Sequence, residues 1–296
     1  MRIAITGAGG RLGTALCGEL TAAGHQVEAL RHDDLDITRG EQIGRLMRRL
    51  RPNAIINCSA YNAVDAAESD AVTAFAVNAR GPALLRDAAD AIGATLVHYS
   101  TDFVFDGNAT EPYTEADPTN PLSMYGASKL AGEMHVSRGR RYYVLRVESL
   151  FGGSCMTAPR STVDWIAANL VAGLTVRVFV DRTVSPSYVP DVAHSTIALL
   201  ERGAPYGTYH CVNSGHTTWD TLADELATLL RVEARLERVR STDVASPASR
   251  PRFCAMSNRK LSSVVGAMPH WRSAICDYLA KRHGAGAMIV PAAAVS

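Results

Sequence analysis

The chain has 296 residues, 47% of them hydrophobic and 20% charged, the composition of a globular protein of one large or two joined domains. Thirty Lys and Arg against 29 Asp and Glu leave a formal net charge of +1, without the clustered positive excess that a nucleic-acid partner requires. The basic runs at 48–51 and 138–141 read as helix-end or solvated arginines.

The chain opens on a β-rich run, 2–6, that leads into a glycine turn with no secretory leader before it. Further strands are expected at 26–30, 54–58, 95–100 and 142–147, each apolar on both faces as strands covered from two sides must be. Helices are expected between them at 10–23, 39–50, 71–92 and 125–136, with Gly24 and Gly93 as stops. Such alternation requires a mostly parallel sheet with right-handed crossovers, a doubly wound α/β fold. Beyond Gly152-Gly153 the rhythm loosens: helix 163–172, strand 176–180, helix 191–201, short strand 208–212 and amphipathic helix 219–230. The expected organisation is a first domain over 1–152. A smaller α/β lobe follows over 153–296, with some elements returning to the first domain and a cleft between the two. The apolar tail 285–295 reads as a loose terminus.

No stretch reaches the ~18 apolar residues that span a bilayer, so no membrane partner is expected and the setting reads as cytoplasmic. The six cysteines show no metal spacing and read as reduced thiols, and the nine histidines form no ligand set, so no metal is expected. His98 reads as a hydrogen-bonded core histidine, and Trp165, Trp219 and Trp271 as packing residues.

Thr6-Gly7-Ala8-Gly9-Gly10-Arg11-Leu12-Gly13 sits between a strand and a helix. Glycines 7, 10 and 13 make a side-chain-free turn whose backbone N–H groups can reach a pyrophosphate at the helix N-terminus, the Rossmann-type dinucleotide arrangement one residue wider than usual. Arg31 follows the second strand where a cation would pair with a 2′-phosphate, which favours NADPH; Asp33 and Asp34 leave NADH open, and Asp36 is placed toward the adenine side.

A second constellation joins Ser100-Thr101-Asp102, at a strand end, to Tyr125-x-x-x-Lys129. Four residues apart, Tyr125 and Lys129 share a helix face, and an ammonium near a phenol lowers its pKa. Such a tyrosine can protonate a carbonyl oxygen while hydride reaches the carbonyl carbon, with Thr101 holding the same oxygen.

On these residues the chain resembles the extended short-chain dehydrogenase/reductases, and within them the dTDP-4-dehydrorhamnose reductase family. The most specific stretch is Pro52 through Glu68, followed by Val77-Asn78, 100–107, Pro112-Tyr113-Thr114-Glu115, Pro121, Tyr125 to Lys129 and Gly132-Glu133. Asp181 through Ser187, Arg250-Pro251 and Trp271 resemble the family in the second lobe. The resemblance implies hydride transfer from NAD(P)H to C4 of a nucleotide-linked 4-keto-6-deoxysugar. It implies Tyr125 as general acid, Lys129 tuning it and holding the nicotinamide ribose, and Thr101 with Asp102 orienting the ketone. It puts Gly7, Gly10, Arg11, Leu12 and Gly13 at the pyrophosphate and Ala60, Tyr61, Asn78 and Ser100 beside the cofactor. Val64, Phe103, Ser149, Ser185 and Pro186 would face the sugar nucleotide.

The chain also departs from the family. Where members often read Arg-Thr-Ser-Trp-Val-Tyr-Gly it reads Arg146-Val147-Glu148-Ser149-Leu150-Phe151-Gly152, so Ser149 replaces a substrate-contacting tryptophan. Phe103 replaces an aromatic hydroxyl. Ala15 replaces a glutamate that binds magnesium at a dimer interface in some members, so no such metal is expected and a homodimer is left open. Phe103 also stands where 4,6-dehydratases carry a glutamate, and no cysteine lies in 100–106 as in the epimerase-reductases, so simple reduction is the reading. A non-catalytic NADP-binding role, like that of the methionine adenosyltransferase regulatory subunit, is the alternative that the presence of Thr101, Tyr125 and Lys129 argues against.

Overall fold

A computed structural model describes residues 1–153 and 161–283; the tail 285–295 and Cys155 lie outside the described residues. The first half follows the expected alternation: β1 (Arg2–Thr6), α1 (Arg11–Ala22), β2 (Gln26–Leu30), α2 (Gly40–Leu50) and β3 (Ala54–Asn57). Then come α3 (Ala71–Phe75), α4 (Gly81–Ile92), β4 (Thr95–Thr101), α5 (Met124–Val136) and β5 (Tyr142–Val147). The single helix expected over 71–92 is interrupted by a π-turn at Ala76–Arg80. Pro82 has no N–H to give the Asn78 carbonyl, so the helical ladder is broken there. Gly132 of α5 packs against that carbonyl, where a Cβ would stand 2.2 Å from Asn78 O.

The second half contributes β6 (Leu150–Phe151), α6 (Thr162–Val171), β7 (Val176–Phe179), β8 (Thr183–Val184), β9 (Ser187–Tyr188) and α7 (Val189–Arg202). It continues with β10 (Gly207–His210), β11 (Thr217–Thr218), α8 (Trp219–Leu230), β12 (Leu236–Val239), α9 (Arg259–Val265) and α10 (Trp271–His283). Strands β7 and β10 fall where expected, whereas β6, β8, β9, β11, β12 and the last two helices carry too little periodicity to be expected from sequence.

The main sheet has six parallel strands in the order β10-β5-β4-β3-β1-β2. The order reverses between β1 and β3, and ligands of doubly wound sheets bind outside the carboxyl ends of the strands at such a point. Two cores cover the two faces. Leu12, Leu16 and Leu20 of α1 pack with Val192 and Ile197 of α7 on one, and Ile43, Met47 and Leu85 of α2 and α4 fill the other. Strand β10, distant in sequence, closes one edge by pairing Thr208 with Val144. A third core gathers Ile166 and Leu170 of α6, Leu222 and Leu226 of α8, and Trp271 and Ile275 of α10 over β7 and β12. Strand β6, which pairs with β9, and Arg11 of α1, which reaches Asp164 of α6 at 3.1 Å, tie this core to the main sheet. Among the described residues no helix is long and apolar enough to cross a membrane.

Candidate active site

The glycine turn is fixed by sterics. Gly7 has φ +66°, and a Cβ on Gly13 would lie 2.4 Å from Gly7 O. Helix α1 therefore starts against the tip of β1, with no side-chain cap and no acidic residue in its first turn, which favours a bound anion. Beneath it Thr6 Oγ1 donates to Asn57 Oδ1 at 2.7 Å, and Asn57 Nδ2 meets His98 Nδ1 at 3.0 Å. This buried network holds the tips of β1, β3 and β4 in register around the expected core histidine.

A cavity of about 670 Å³ opens above these strand ends, lined by Gly10 to Gly13, Ser59, Ala60, Val64, Ser100, Thr101, Asp102, Tyr125, Lys129 and Ser149. The glycine cradle, the uncapped helix and the buried Ser100 hydroxyl, which has no partner among the described residues, fit a dinucleotide. Arg31 is exposed at the end of β2, and its stem lies beside Gly9.

Helix α5 enters the cavity with Ser123 as its N-cap, whose hydroxyl accepts from Gly126 N at 3.2 Å. Gly126 fits because a Cβ there would stand 2.3 Å from Phe103 O. Tyr125 is 8% exposed and lines the cavity together with Thr101. Lys129 is buried and donates to Tyr99 O at 2.5 Å, an arrangement that spacing alone did not give. Burial pulls the Lys129 ammonium down to about 8, against the opposing pull of Glu133. Burial, reinforced by the Asp102 charge, pushes the Tyr125 phenol above its usual range, opposite to the lowering expected from Lys129. The phenol therefore carries its proton throughout the neutral range. Asp102 itself is pushed up to about 6 by burial.

Several expected contacts are reassigned. Asn78 is buried with its amide tied to Tyr61 O and Ser128 Oγ, both at 3.0 Å, while Tyr61 N donates back to it at 2.9 Å. It fastens the loop after β3 to α5 and does not line the cavity; nor does Tyr61. Ser185 is fully buried with its hydroxyl accepting from Met256 N at 3.1 Å, and Pro186 is buried beside it, so both shape the wall from behind. The Asp36 carboxylate is occupied by Thr38 N and Oγ1, at 2.9 and 2.7 Å. Phe103 lies edge-on to the Tyr125 ring, with centroids 5.5 Å apart.

A second cavity of about 330 Å³ adjoins the first and shares Asp102, Phe103, Ser149 and Thr162 with it. Its outer wall carries Arg177, Arg182, Arg250, Trp165 and Trp219. Trp165, expected as a packing residue, is 43% exposed on this cavity; Trp219 lines it while packing against the third core, and Trp271 is buried, both as expected. Arg250 pairs with Asp65 at 2.7 Å and so links the wall to the loop after β3. Sequence reading missed Glu148 and Cys254, which reach this junction from distant segments.

Residues 1–283 match the family model described as the RmlD substrate binding domain. The chain is 37% identical over 281 residues to a dTDP-4-dehydrorhamnose reductase of Streptomyces griseus, covering 92% of this chain and 91% of that protein. It is 36% identical over 292 residues to one from Mycobacterium tuberculosis, covering 94% and 92%. Among solved structures, a dTDP-4-dehydrorhamnose reductase from Clostridium acetobutylicum superposes with a TM-score of 0.89 at 31% identity, covering 95% of this chain and 99% of that one. One from Bacillus anthracis, in complex with NADP, also gives 0.89, at 30% identity over 95% and 99%. A match along nearly the whole chain, on a parallel sheet that gathers Thr101, Tyr125 and Lys129 beside a dinucleotide-shaped cavity, makes this chain a member of the dTDP-4-dehydrorhamnose reductase family.

Proposed function

We propose that this chain reduces the C4 ketone of a dTDP-linked 4-keto-6-deoxysugar at the junction of its two cavities. The carrying observation is that Thr101, Tyr125 and Lys129 line the dinucleotide cavity at the point where it opens toward a second, arginine- and tryptophan-walled one. NADPH, when bound, supplies the hydride; the B. anthracis relative was solved with NADP, and Arg31 is the cation suited to its 2′-phosphate. Gly10 to Gly13 would hold the pyrophosphate at the uncapped α1 N-terminus, and Ser100 and Ala60, in the same cavity, would hold the rest of the cofactor.

Tyr125 gives its phenolic proton to O4, and the Thr101 hydroxyl, which donates to Asp102 Oδ1 at 2.8 Å, would turn its hydrogen to the same oxygen. Lys129, fixed by Tyr99 O, would present a cation to the cofactor's ribose and to the phenolate left behind. Arg177, Arg182 and Arg250 suit the diphosphate, and Trp165 and Trp219 give the base a stacking surface. Val64, Phe103 and Ser149 border the sugar, where Ser149 leaves the room that a tryptophan would fill.

The decisive measurement is NADPH absorbance during incubation with an enzymatically prepared dTDP-4-keto-6-deoxysugar. Wild type should consume NADPH, and Tyr125→Phe should be slower by about 10²–10⁴-fold. NADPH binding without consumption across dTDP-, GDP- and UDP-linked 4-keto sugars would replace the enzyme with a binding subunit.

A further inference from the structure

Three buried groups from distant segments meet where the two cavities join: Asp102 at the end of β4, Glu148 after β5 and Cys254 beside β8. Their carboxyl oxygens and sulfur lie within 4.8 Å of one another. Asp102 is 4% exposed and Glu148 2%, and among the described residues neither is ion-paired. Two carboxylates so close and so dry cannot both be charged; one must keep a proton.

The hydrogen bonds say which one. Asp102 accepts from the Thr101 hydroxyl, at 2.8 Å, and backbone N–H groups of its own turn face it, while the Cys254 thiol beside it gives its hydrogen to Pro251 O. Glu148 receives a single donor, Ser185 N at 2.6 Å, and its Oε1 has no partner. Donors stabilise the charged form, so the charge belongs on Asp102 and the proton on Glu148.

We propose that Glu148 is a positioning residue for Tyr125: it shares one proton with Asp102, so that the carboxyl pair presents one negative charge to the phenol instead of two. Its role in turnover rests on the reductase reading; the shared proton does not. The Asp102 charge already holds the Tyr125 proton more tightly, and a second charge would hold it tighter still and slow its passage to O4. Burial and the Asp102 charge push the Glu148 carboxyl well above the usual carboxylate range, in keeping with this assignment. The other charged or titratable groups around the pair are Tyr125 on α5, Cys254 and Arg182 flanking β8, and Arg177 and Arg250 across the outer cavity.

The test is carboxyl NMR of the full chain labelled in Asp and Glu, followed from about pH 5 to about pH 9, the span that separates ordinary from raised carboxyls. One glutamate carboxyl should stay protonated through neutrality, be absent in Glu148→Gln, and titrate at lower pH in Asp102→Asn, where the neighbouring charge is gone. Above that titration kcat/KM should fall more steeply than loss of the Lys129 proton alone gives, and in Glu148→Gln only the Lys129 limb should remain. Two carboxyls already charged at the acidic end, or the same alkaline fall in Glu148→Gln, would overturn the proposal. So would a stoichiometric Co²⁺–thiolate absorption lost in Cys254→Ser, which would make the trio a cation site. If Glu148→Gln does not fold, wild type and Asp102→Asn still decide. A protonated Glu148 in a chain that never consumes NADPH would sink the reductase reading and leave the shared proton standing.

Discussion

Glu133→Gln perturbs stability and chemistry together. Glu133 holds Arg146 through two hydrogen bonds, Nε to Oε1 at 2.9 Å and an NH2 nitrogen to Oε2 at 2.7 Å, with both side chains under one-tenth exposed. The guanidinium also lies 5.0 Å from the Phe105 ring centroid and 3.3 Å from His210 Nε2. Removing one partner of a buried pair costs about 3–5 kcal/mol, because the other charge is left uncompensated. Glutamine keeps one acceptor for Arg146, which argues for the low end, about 3 kcal/mol. Against a typical domain stability of about 5–15 kcal/mol this is readily measured by urea denaturation. Arg146→Met in the same chain should restore part of the loss, since it removes the stranded charge.

Glu133 is also one helical turn beyond Lys129, and its charge opposes the burial that lowers the lysine. Without it, Lys129 falls below about 8 and sheds its proton at a lower pH. A cation needed at Tyr125 would then be lost earlier, so the alkaline limb of NADPH consumption should move to lower pH. An unchanged urea midpoint would refute the buried-pair reasoning. A lowered midpoint with an unmoved alkaline limb would refute the coupling to Lys129.

Gly13→Ala places a methyl group against Gly7 O and Ala8 Cα; overpacking of this kind costs about 1–3 kcal/mol, and NADPH titration should show weakened binding. Arg31→Ala should weaken NADPH by about tenfold or more while sparing NADH, a ratio read from paired cofactor titrations. Asp65 is held down to about 2, chiefly by its hydrogen bond with Arg250. A lowered carboxyl stabilises the fold above its unfolded value, so the advantage of wild type over Asp65→Asn should be present at neutral pH. It should fade as pH falls from about 4 toward about 2. The pair is partly exposed, so the difference should stay within about 1 kcal/mol in urea titrations.

What the sequence by itself determined is whatever is written in local period and local sterics. The bounds of β1 and β5 follow from short two-faced apolar runs, and the glycine turn from the need for a backbone without Cβ. Tyr125 and Lys129 share a face because a helix repeats near every fourth residue. Asn78 and Ser185 were legible as site residues in name only: one became a loop fastener and the other part of the wall's interior, because a motif position does not say which way a side chain turns. Only the tertiary structure brought β10 to the edge of the first sheet, Arg11 to Asp164, Glu133 to Arg146, and Glu148 and Cys254 to Asp102. These contacts join residues from 13 to more than 150 positions apart, at spacings that belong to no helix or strand period. They exist because a buried charge or donor must find partners, and which partners lie within reach depends on the packing of the whole chain.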